Sequence, residues 1–162
     1  MSDFYTEQLI ARKTPPSAMM AKVGLIALTV LSVMAVLFVP FAIVLPVIMV
    51  VVDYFLFRRM NVEYEYLYVN GDLDIDIIMS KQKRKRKFST NVSNMEILAP
   101  SGSPETKNMQ VTKTYDFSSG IEENKKYEMI VTENGQKIKV LFEPNKVILD
   151  GMRLMAPRKV IL

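Results

Sequence analysis

The residues with the clearest chemical potential form a basic run that follows a stretch of alternating acids. The run covers residues 81–87, and its odd-numbered positions, which we call the lysine row, are Lys81, Lys83, Lys85 and Lys87. Runs of this kind bind phosphate groups of anionic lipids or of nucleic acids. Because no aromatic residue interrupts the run to stack on bases, we expect contacts with lipid headgroups or a protein partner, and no nucleic acid.

The acids ahead of the run resemble the first ligands of a calcium-binding loop. They are Asp72, Asp74 and Asp76, but the glycine expected at the sixth position is Ile77 and the acid expected at the twelfth is Lys83. These departures remove the turn and one ligand that the loop needs. Alternating acids on one face of a β-strand explain the pattern better, and we predict no metal site.

A strand with a solvated, charge-paired face is the favoured interpretation of the basic run, and ligand binding is the alternative. If the chain turns near Ser80 and returns as a third strand, Arg84 lies opposite Asp76 and Arg86 lies opposite Asp74. Acidic side chains on the exposed face of the preceding strand would then form charge pairs with part of the basic run. The lysine row would stay unmatched and could face a membrane.

The composition excludes several kinds of catalytic chemistry. The chain has no histidine and no cysteine, so it has no disulfide, no Cys/His zinc site, no thiol nucleophile and no Ser-His triad of its own. The carboxylates, lysines and tyrosines show no spacing that brings a pair into one pocket. We expect a protein that is not an enzyme and has no cofactor.

An apolar region near the N-terminus is too long for the core of a soluble domain. Residues 23–52 are 30 consecutive residues without a charge. As one straight helix they would measure roughly 45 Å, against a hydrocarbon layer of about 30 Å. Pro40 lies near the middle of the wider apolar region and disfavours helix there. The pattern predicts a transmembrane helical hairpin over residues 19–57 that turns near Pro40.

Basic residues flank both ends of this hairpin. Arg12, Lys13 and Lys22 lie at the start of the first helix, and Arg58 and Arg59 follow the second. Because positive residues mark the cytoplasmic ends of membrane helices, we expect a cell-membrane protein with two spans and both termini cytoplasmic. A cleaved signal peptide is the competing explanation, but its apolar region would be only about 7 to 15 residues long.

The segment before the hairpin is short. Residues 1–18 would be a cytoplasmic segment that forms either a short interfacial helix or a frayed tail.

Asp53 is the one acid in the apolar region, and an acid in a membrane helix is a functional candidate by default. Because it lies close to the basic boundary, we predict a structural pair with Lys22 or Arg58 rather than a role in transport.

Residues 60–162 carry the patterns of a β domain. Asn70-Gly71 predicts a tight hairpin with Tyr68 opposite Leu73, Tyr66 opposite Ile75 and Tyr64 opposite Ile77. Asn134-Gly135 predicts a second hairpin. A helix over about 145–155 follows Pro144, with an apolar face of Val147, Ile148, Met152 and Met155. We predict an antiparallel β-sheet or partly open barrel capped by a C-terminal helix.

The order of these elements resembles a known family. A transmembrane hairpin ending in Arg58-Arg59, a Tyr-rich strand, Asn70-Gly71, a basic third strand, and Phe142-Glu143-Pro144 before a helix resemble bacterial membrane-anchored proteins with a pleckstrin-homology-like (PH-like) domain. The chain is similar to an uncharacterised family of small Gram-positive membrane proteins. The resemblance implies an α+β membrane protein and transfers no site residues.

Two functions remain open from the sequence. We expect a membrane-tethered interaction module whose cytoplasmic β domain binds a protein segment or anionic lipid headgroups at the bilayer surface. The alternative is an accessory subunit of a transporter or membrane enzyme complex that contacts a protein partner in the membrane through the helical hairpin. Small residues would then provide a close-packing face, namely Gly24, Ala27, Ser32 and Ala35.

Overall fold

The computed structural model describes residues 4–81 and 83–162. Two long apolar helices near the N-terminus are followed by β-sheets and a C-terminal helix. The strands are β1 (Tyr5–Ala11), β2 (Val62–Val69), β3 (Asp72–Met79), β4 (Lys83–Asn91), β5 (Met95–Pro100), β6 (Lys113–Asp116), β7 (Tyr127–Glu133) and β8 (Gln136–Phe142). The helices are α1 (Pro16–Val36), α2 (Val44–Met60), α3 (Pro104–Lys107) and α4 (Lys146–Met155), with short 3-10 turns at Pro40–Ile43 and Val92–Asn94.

Helices α1 and α2 pack side by side as an antiparallel hairpin that turns at Pro40–Ile43, as the sequence predicted. With 21 residues, α1 measures about 32 Å, which matches a hydrocarbon layer of about 30 Å. Both helices are long and apolar enough to cross a membrane, and most of their large apolar side chains are exposed. The less exposed residues of α1 recur every three or four positions, as a helix-helix contact requires.

The N-terminal segment forms a strand, so the predicted interfacial helix and the frayed tail are both wrong. β1 pairs antiparallel with β2, and the pairing ends at Ala11 opposite Glu63. Exposed and half-buried side chains alternate along β1, and Phe4 and Ile10 pack against the core. Residues 5–11 are therefore part of the first sheet. The helical hairpin is an insertion between two neighbouring strands of one sheet.

The first sheet has the strand order β1-β2-β3-β4. Between β2 and β3 the predicted register is confirmed, since the three tyrosines lie opposite Leu73, Ile75 and Ile77. Asn70 and Gly71 have φ angles of 48° and 97°. Two successive positive φ values are the geometry of a type I′ turn, which explains why the Asn-Gly pair fixes this register.

The predicted register between β3 and β4 is wrong. Arg86, and not Arg84, lies opposite Asp76. The predicted pairing left one residue for the turn, whereas the connection between Met79 and Lys83 takes three residues. A bulge next to Asp76 shifts the register by one further residue along the rest of β4.

The second sheet has the strand order β5-β7-β8-β6. β7 and β8 form the predicted hairpin around Asn134-Gly135, while β6 pairs parallel to β8. No pairing closes the two sheets into a barrel within the described strands, so a closed barrel is not formed. Large buried side chains fill the space between the sheets and α4, among them Tyr66, Tyr68, Phe142, Leu98 and Ile148.

Helix α4 lies where the sequence predicted it, but part of its apolar face was assigned wrongly. The Asn145 side chain caps the helix, because its Oδ1 accepts the Ile148 N–H at 2.9 Å. The buried residues are Ile148, Leu149, Gly151 and Met152. Val147 and Met155 are exposed, since they lie beside this face rather than on it.

Candidate functional site

The outer face of the first sheet carries a network of ion pairs. Arg84 Nη2 lies 2.6 Å from Glu65 Oε2, and Arg86 Nη2 lies 2.7 Å from Asp74 Oδ2. Both guanidinium groups also contact Asp76, whose side chain is only 6% exposed. The predicted charge partners are therefore confirmed despite the shifted register, because an arginine side chain reaches diagonally across a strand.

The lysine row has no such partners. All four side chains are exposed, and none forms an ion pair with an acid in the described part of the chain. Lys83 lies opposite Met79 and Lys85 lies opposite Ile77. Because side chains alternate along a strand, these two lysines point away from the face that carries the arginines.

The start of the lysine row is attached to the end of α2. The Ser80 hydroxyl donates a hydrogen bond to the carbonyl of Arg58, and the Ser80 N–H donates to the carbonyl of Asn61 at 3.0 Å. Lys81 therefore lies beside the last turn of the helix. Lys87 lies four residues beyond Lys83, which is about 13 Å farther along the strand.

The connection from β1 to α1 is fixed to the same region. The Arg12 N–H donates to the Val62 carbonyl at 3.0 Å, and the Lys13 N–H donates to the Ser119 carbonyl at 2.7 Å. Arg12 Nη1 donates to the Tyr64 hydroxyl at 2.8 Å, and the guanidinium lies 5.8 Å from the centre of the Tyr64 ring. Burial raises the pKa of Tyr64 although Arg12 opposes the shift.

A buried carboxylate, Glu143, supports this connection, although the sequence predicts no such role for it. Glu143 Oε1 accepts hydrogen bonds from the Ser119 N–H at 2.9 Å and the Ser119 hydroxyl at 2.8 Å. Glu143 Oε2 accepts one from Asn124 Nδ2 at 2.9 Å. Glu143 thus holds the loop whose carbonyl binds Lys13. The only sequence signal was an acid between two apolar residues, Phe142 and Pro144.

Asp53 does not form the predicted pair with Lys22 or Arg58. Its side chain is buried against α1, where the Thr29 hydroxyl donates to Asp53 Oδ2 at 2.6 Å. Lys22 Nζ instead donates to Asn61 Oδ1 at 3.4 Å. The long lysine side chain extends toward the end of the hairpin, where its charge stays in a polar environment.

Most of the small-residue face that the sequence predicts for a partner in the membrane lies away from α2. Ser32 is buried, and its hydroxyl donates to the Thr29 carbonyl at 2.6 Å. Gly24, Ala27 and Ala35 are exposed, and a Cβ atom added at Gly24 would meet no atom within 4 Å. Only Ser32 of the four faces α2.

Two β-sheets followed by a C-terminal helix are the elements of a PH-like β domain. The family model described as "Bacterial PH-like domain (DUF6106)" matches residues 2–162. The chain belongs to this family, which confirms the PH-like resemblance found in the sequence. No curated protein and no solved structure matches it.

Proposed function

We propose that this chain is a membrane-anchored, non-enzymatic PH-like module that holds its lysine row against anionic lipid headgroups at the cytoplasmic surface of the cell membrane. One observation carries the proposal. The two hydrogen bonds from Ser80 to the carbonyls of Arg58 and Asn61 attach the start of the row to the end of α2. If α2 ends at the membrane surface, these bonds place the start of the lysine row at the depth of the lipid headgroups.

The strand pairing supports a topology with both termini on one side. Because β1 and β2 are neighbours in one sheet, the segments before α1 and after α2 lie at the same end of the helical hairpin. That end carries Arg12, Lys13, Lys22 and Arg58. Positive residues favour the cytoplasmic side, so two spans with a cytoplasmic β domain fit this arrangement.

The distribution of ion pairs supports a headgroup contact. The arginines of β4 are neutralised within the domain, whereas the lysine row keeps its charge. A lysine near an anionic membrane surface contributes about 1 kcal/mol, and the attraction decays over a Debye length of about 8 Å. Lys81 and Lys83 should therefore contribute most, and Lys87 least.

A protein partner within the membrane is the second candidate. The exposed position of Gly24, which lies away from α2, favours it, because a small residue there would let another helix approach closely. Extraction of the full chain in a mild detergent tests this candidate. A stoichiometric companion that is lost on Gly24→Leu would support it, and a monomer in both cases would exclude it.

Cysteine labelling tests the topology. Because the chain has no cysteine, single replacements Tyr5→Cys, Leu37→Cys and Ser103→Cys can be compared in intact cells. A membrane-impermeant thiol reagent should label only Leu37→Cys from outside. Labelling of Tyr5→Cys and Ser103→Cys from opposite sides would refute the hairpin topology.

Spin-labelled lipids test the headgroup contact with the full chain in vesicles. The fraction of motionally restricted phosphatidylglycerol should exceed that of phosphatidylcholine, and the excess should shrink with salt. The triple change of Lys83, Lys85 and Lys87 to Gln should reduce the excess. A matched triple change of Lys146, Arg153 and Arg158 to Gln alters the net charge equally and should not. An equal effect of both variants would overturn the proposal.

A further inference from the structure

A cavity lies at the base of the helical hairpin, where three connections meet. It has a volume of about 340 Å³ and is lined by Ala11, Arg12, Asn61, Glu63, Ser80 and Lys81. Asn61 directly follows α2, and Ser80 is bonded to the carbonyl of Arg58. In the proposed topology the cavity therefore opens at the depth of the lipid headgroups. Its volume is within the range of small-molecule sites.

The charged residues that line the cavity are two cations and one acid. Arg12 is held in place by the Tyr64 hydroxyl at 2.8 Å, and a guanidinium has five N–H donors, so others remain for a ligand. Lys81 is exposed and forms no ion pair within the described chain. Glu63 supplies the only carboxylate. The lining thus has one excess positive charge, which matches a phosphodiester.

A neighbouring cavity shows that this charge balance is local. It has a volume of about 350 Å³ and shares Arg12 as a wall. Its other charged residues are Lys13, Glu122 and Glu123, so cations and acids are equal in number. A phosphate group has no net electrostatic attraction to that neutral lining, whereas the excess positive charge of the first cavity attracts it.

We propose that the first cavity binds the phosphodiester headgroup of a membrane lipid that also carries a hydrogen-bond donor, either a hydroxyl or an ammonium group. The phosphate lies toward Arg12 and Lys81, and the donor group faces Glu63. This inference rests on the proposed function, because the lipid must be at the membrane surface. It adds a selective site to the general attraction of the lysine row.

Lipid competition monitored by native mass spectrometry tests the site on the full chain. Phosphatidylglycerol and phosphatidylethanol have the same charge, but only the glycerol headgroup has hydroxyl donors. Phosphatidylethanolamine and phosphatidylcholine form the corresponding pair for an ammonium donor. We expect the chain to retain the donor-bearing lipid of at least one pair about five-fold better. The pair that shows the preference identifies the headgroup.

Matched variants assign the preference to the cavity. Glu63→Ala should abolish the donor preference, whereas Glu133→Ala, at the far end of β7, should leave it unchanged. Lys81→Gln should weaken retention of the preferred lipid about five-fold, and Lys87→Gln should change that retention little. Far-UV circular dichroism and thermal unfolding of each variant verify that it is folded.

The outcomes separate this inference from the proposed function. A loss of anionic-lipid preference on changing Lys83, Lys85 and Lys87, without any donor preference in the unchanged chain, would overturn the cavity site and keep the headgroup contact. A donor preference that is insensitive to Glu63→Ala would also overturn the site. Equal retention of all four lipids by the unchanged chain would refute both proposals.

Discussion

Phe4 lies directly against Gly151, so that the first described residue of the chain contacts the C-terminal helix. A Cβ atom added at Gly151 would be 2.6 Å from Phe4 Cε1 and 2.7 Å from Tyr68 Cε1. The absent side chain makes room for both rings. Because β1 precedes α1, this contact helps fix the start of the helical hairpin to the β domain.

Gly151→Ala should therefore destabilise the domain. Overpacking of a core contact costs about 1 to 3 kcal/mol, while the better helix propensity of alanine offsets up to about 1 kcal/mol. Thermal unfolding of the full chain in detergent should show a lower midpoint, and proteolysis within β1 should accelerate. Gly24→Ala, which meets no atom, is the control. If Gly151→Ala raised the unfolding midpoint as much as Gly24→Ala does, the close contact of Phe4 and Tyr68 with Gly151 would be contradicted.

Tyr66 and Tyr68 should respond differently to the loss of a hydroxyl, although both are completely buried. Tyr66 OH donates to the Phe117 carbonyl at 2.6 Å and accepts the Glu143 N–H at 3.2 Å. Tyr68 OH has no hydrogen-bond partner among the described residues. Tyr66→Phe should lower the free energy of unfolding by about 1 to 3 kcal/mol, because it leaves two buried backbone groups unpaired.

Tyr68→Phe is the matched change and should be neutral or stabilising, since the phenylalanine ring fills the same space without a buried hydroxyl. Burial raises the pKa of Tyr68 to about 12, with a further contribution from Asp72. Denaturant unfolding of the two variants measures the difference. Equal losses for both would show that Tyr68 has a partner after all.

The β domain should fold without the helical hairpin if β1 is kept. The Arg12 N–H already pairs with the Val62 carbonyl at 3.0 Å. Replacing residues 13–61 with an Asn-Gly turn should therefore join β1 to β2 as an ordinary β-hairpin. We expect a soluble, folded protein by circular dichroism and gel filtration.

The contrasting variant for this prediction lacks residues 1–61 altogether. It exposes the edge of β2 and the pocket that Phe4 fills, so it should be less stable and should aggregate more readily. If both shortened proteins are equally stable and soluble, β1 is not an integral strand of the first sheet.

Stability at acidic pH should depend on Glu128. Burial alone would raise the pKa of its carboxyl group, but hydrogen bonds from Thr106, Lys139 and Ser101 outweigh burial and lower it. A depressed folded-state pKa stabilises the protein above the unfolded value of about 4.3, and this stabilisation is lost as the pH falls through the folded-state pKa.

Glu128→Gln should therefore reduce stability at neutral pH and flatten the loss of stability below about pH 4. Denaturant titrations between neutral and acidic pH measure both effects. Glu133→Gln serves as the control, because Glu133 forms no ion pair within the described chain. Parallel pH profiles for the unchanged chain and Glu128→Gln would contradict the prediction.

Thr29→Val should weaken the contact between α1 and α2. It removes the hydroxyl that donates to Asp53 Oδ2 at 2.6 Å and leaves the buried carboxylate without that partner. Hydrogen bonds between membrane helices contribute about 0.6 kcal/mol on average, up to about 1.7. Helix melting in micelles should shift to lower temperature, and Thr14→Val, outside both helices, should not shift it.

Local turn chemistry explains which strands could be predicted. The hairpins around Asn70-Gly71 and Asn134-Gly135 follow from adjacent residues. The turn sets the register, and the alternation of apolar and polar residues shows which face of each strand points to the core. The arginine partners were also predictable, since a long side chain tolerates an error in register. The position of β4 itself was not, because the turn after Met79 has no residue pair that dictates its length.

Long-range partners explain the rest of the errors. β1 was missed because its partner strand lies beyond the whole helical hairpin, and seven residues alone carry a weak pattern. The Glu143 site was missed because Ser119 and Asn124 precede it by 24 and 19 residues. The predicted pair of Asp53 with Lys22 or Arg58 rests on helix position alone, whereas the Thr29 hydroxyl on α1 lies 2.6 Å from Asp53 Oδ2.

The insertion of the helical hairpin between β1 and β2 sets an order of events during biosynthesis. The ribosome releases β1 before either helix, but Gln8 finds its partner at Glu143 only 135 residues later. The strand made first is thus completed last. In the proposed topology the chain crosses the bilayer twice between β1 and β2, so that β1 waits for the whole helical hairpin to be made before its partner strand exists.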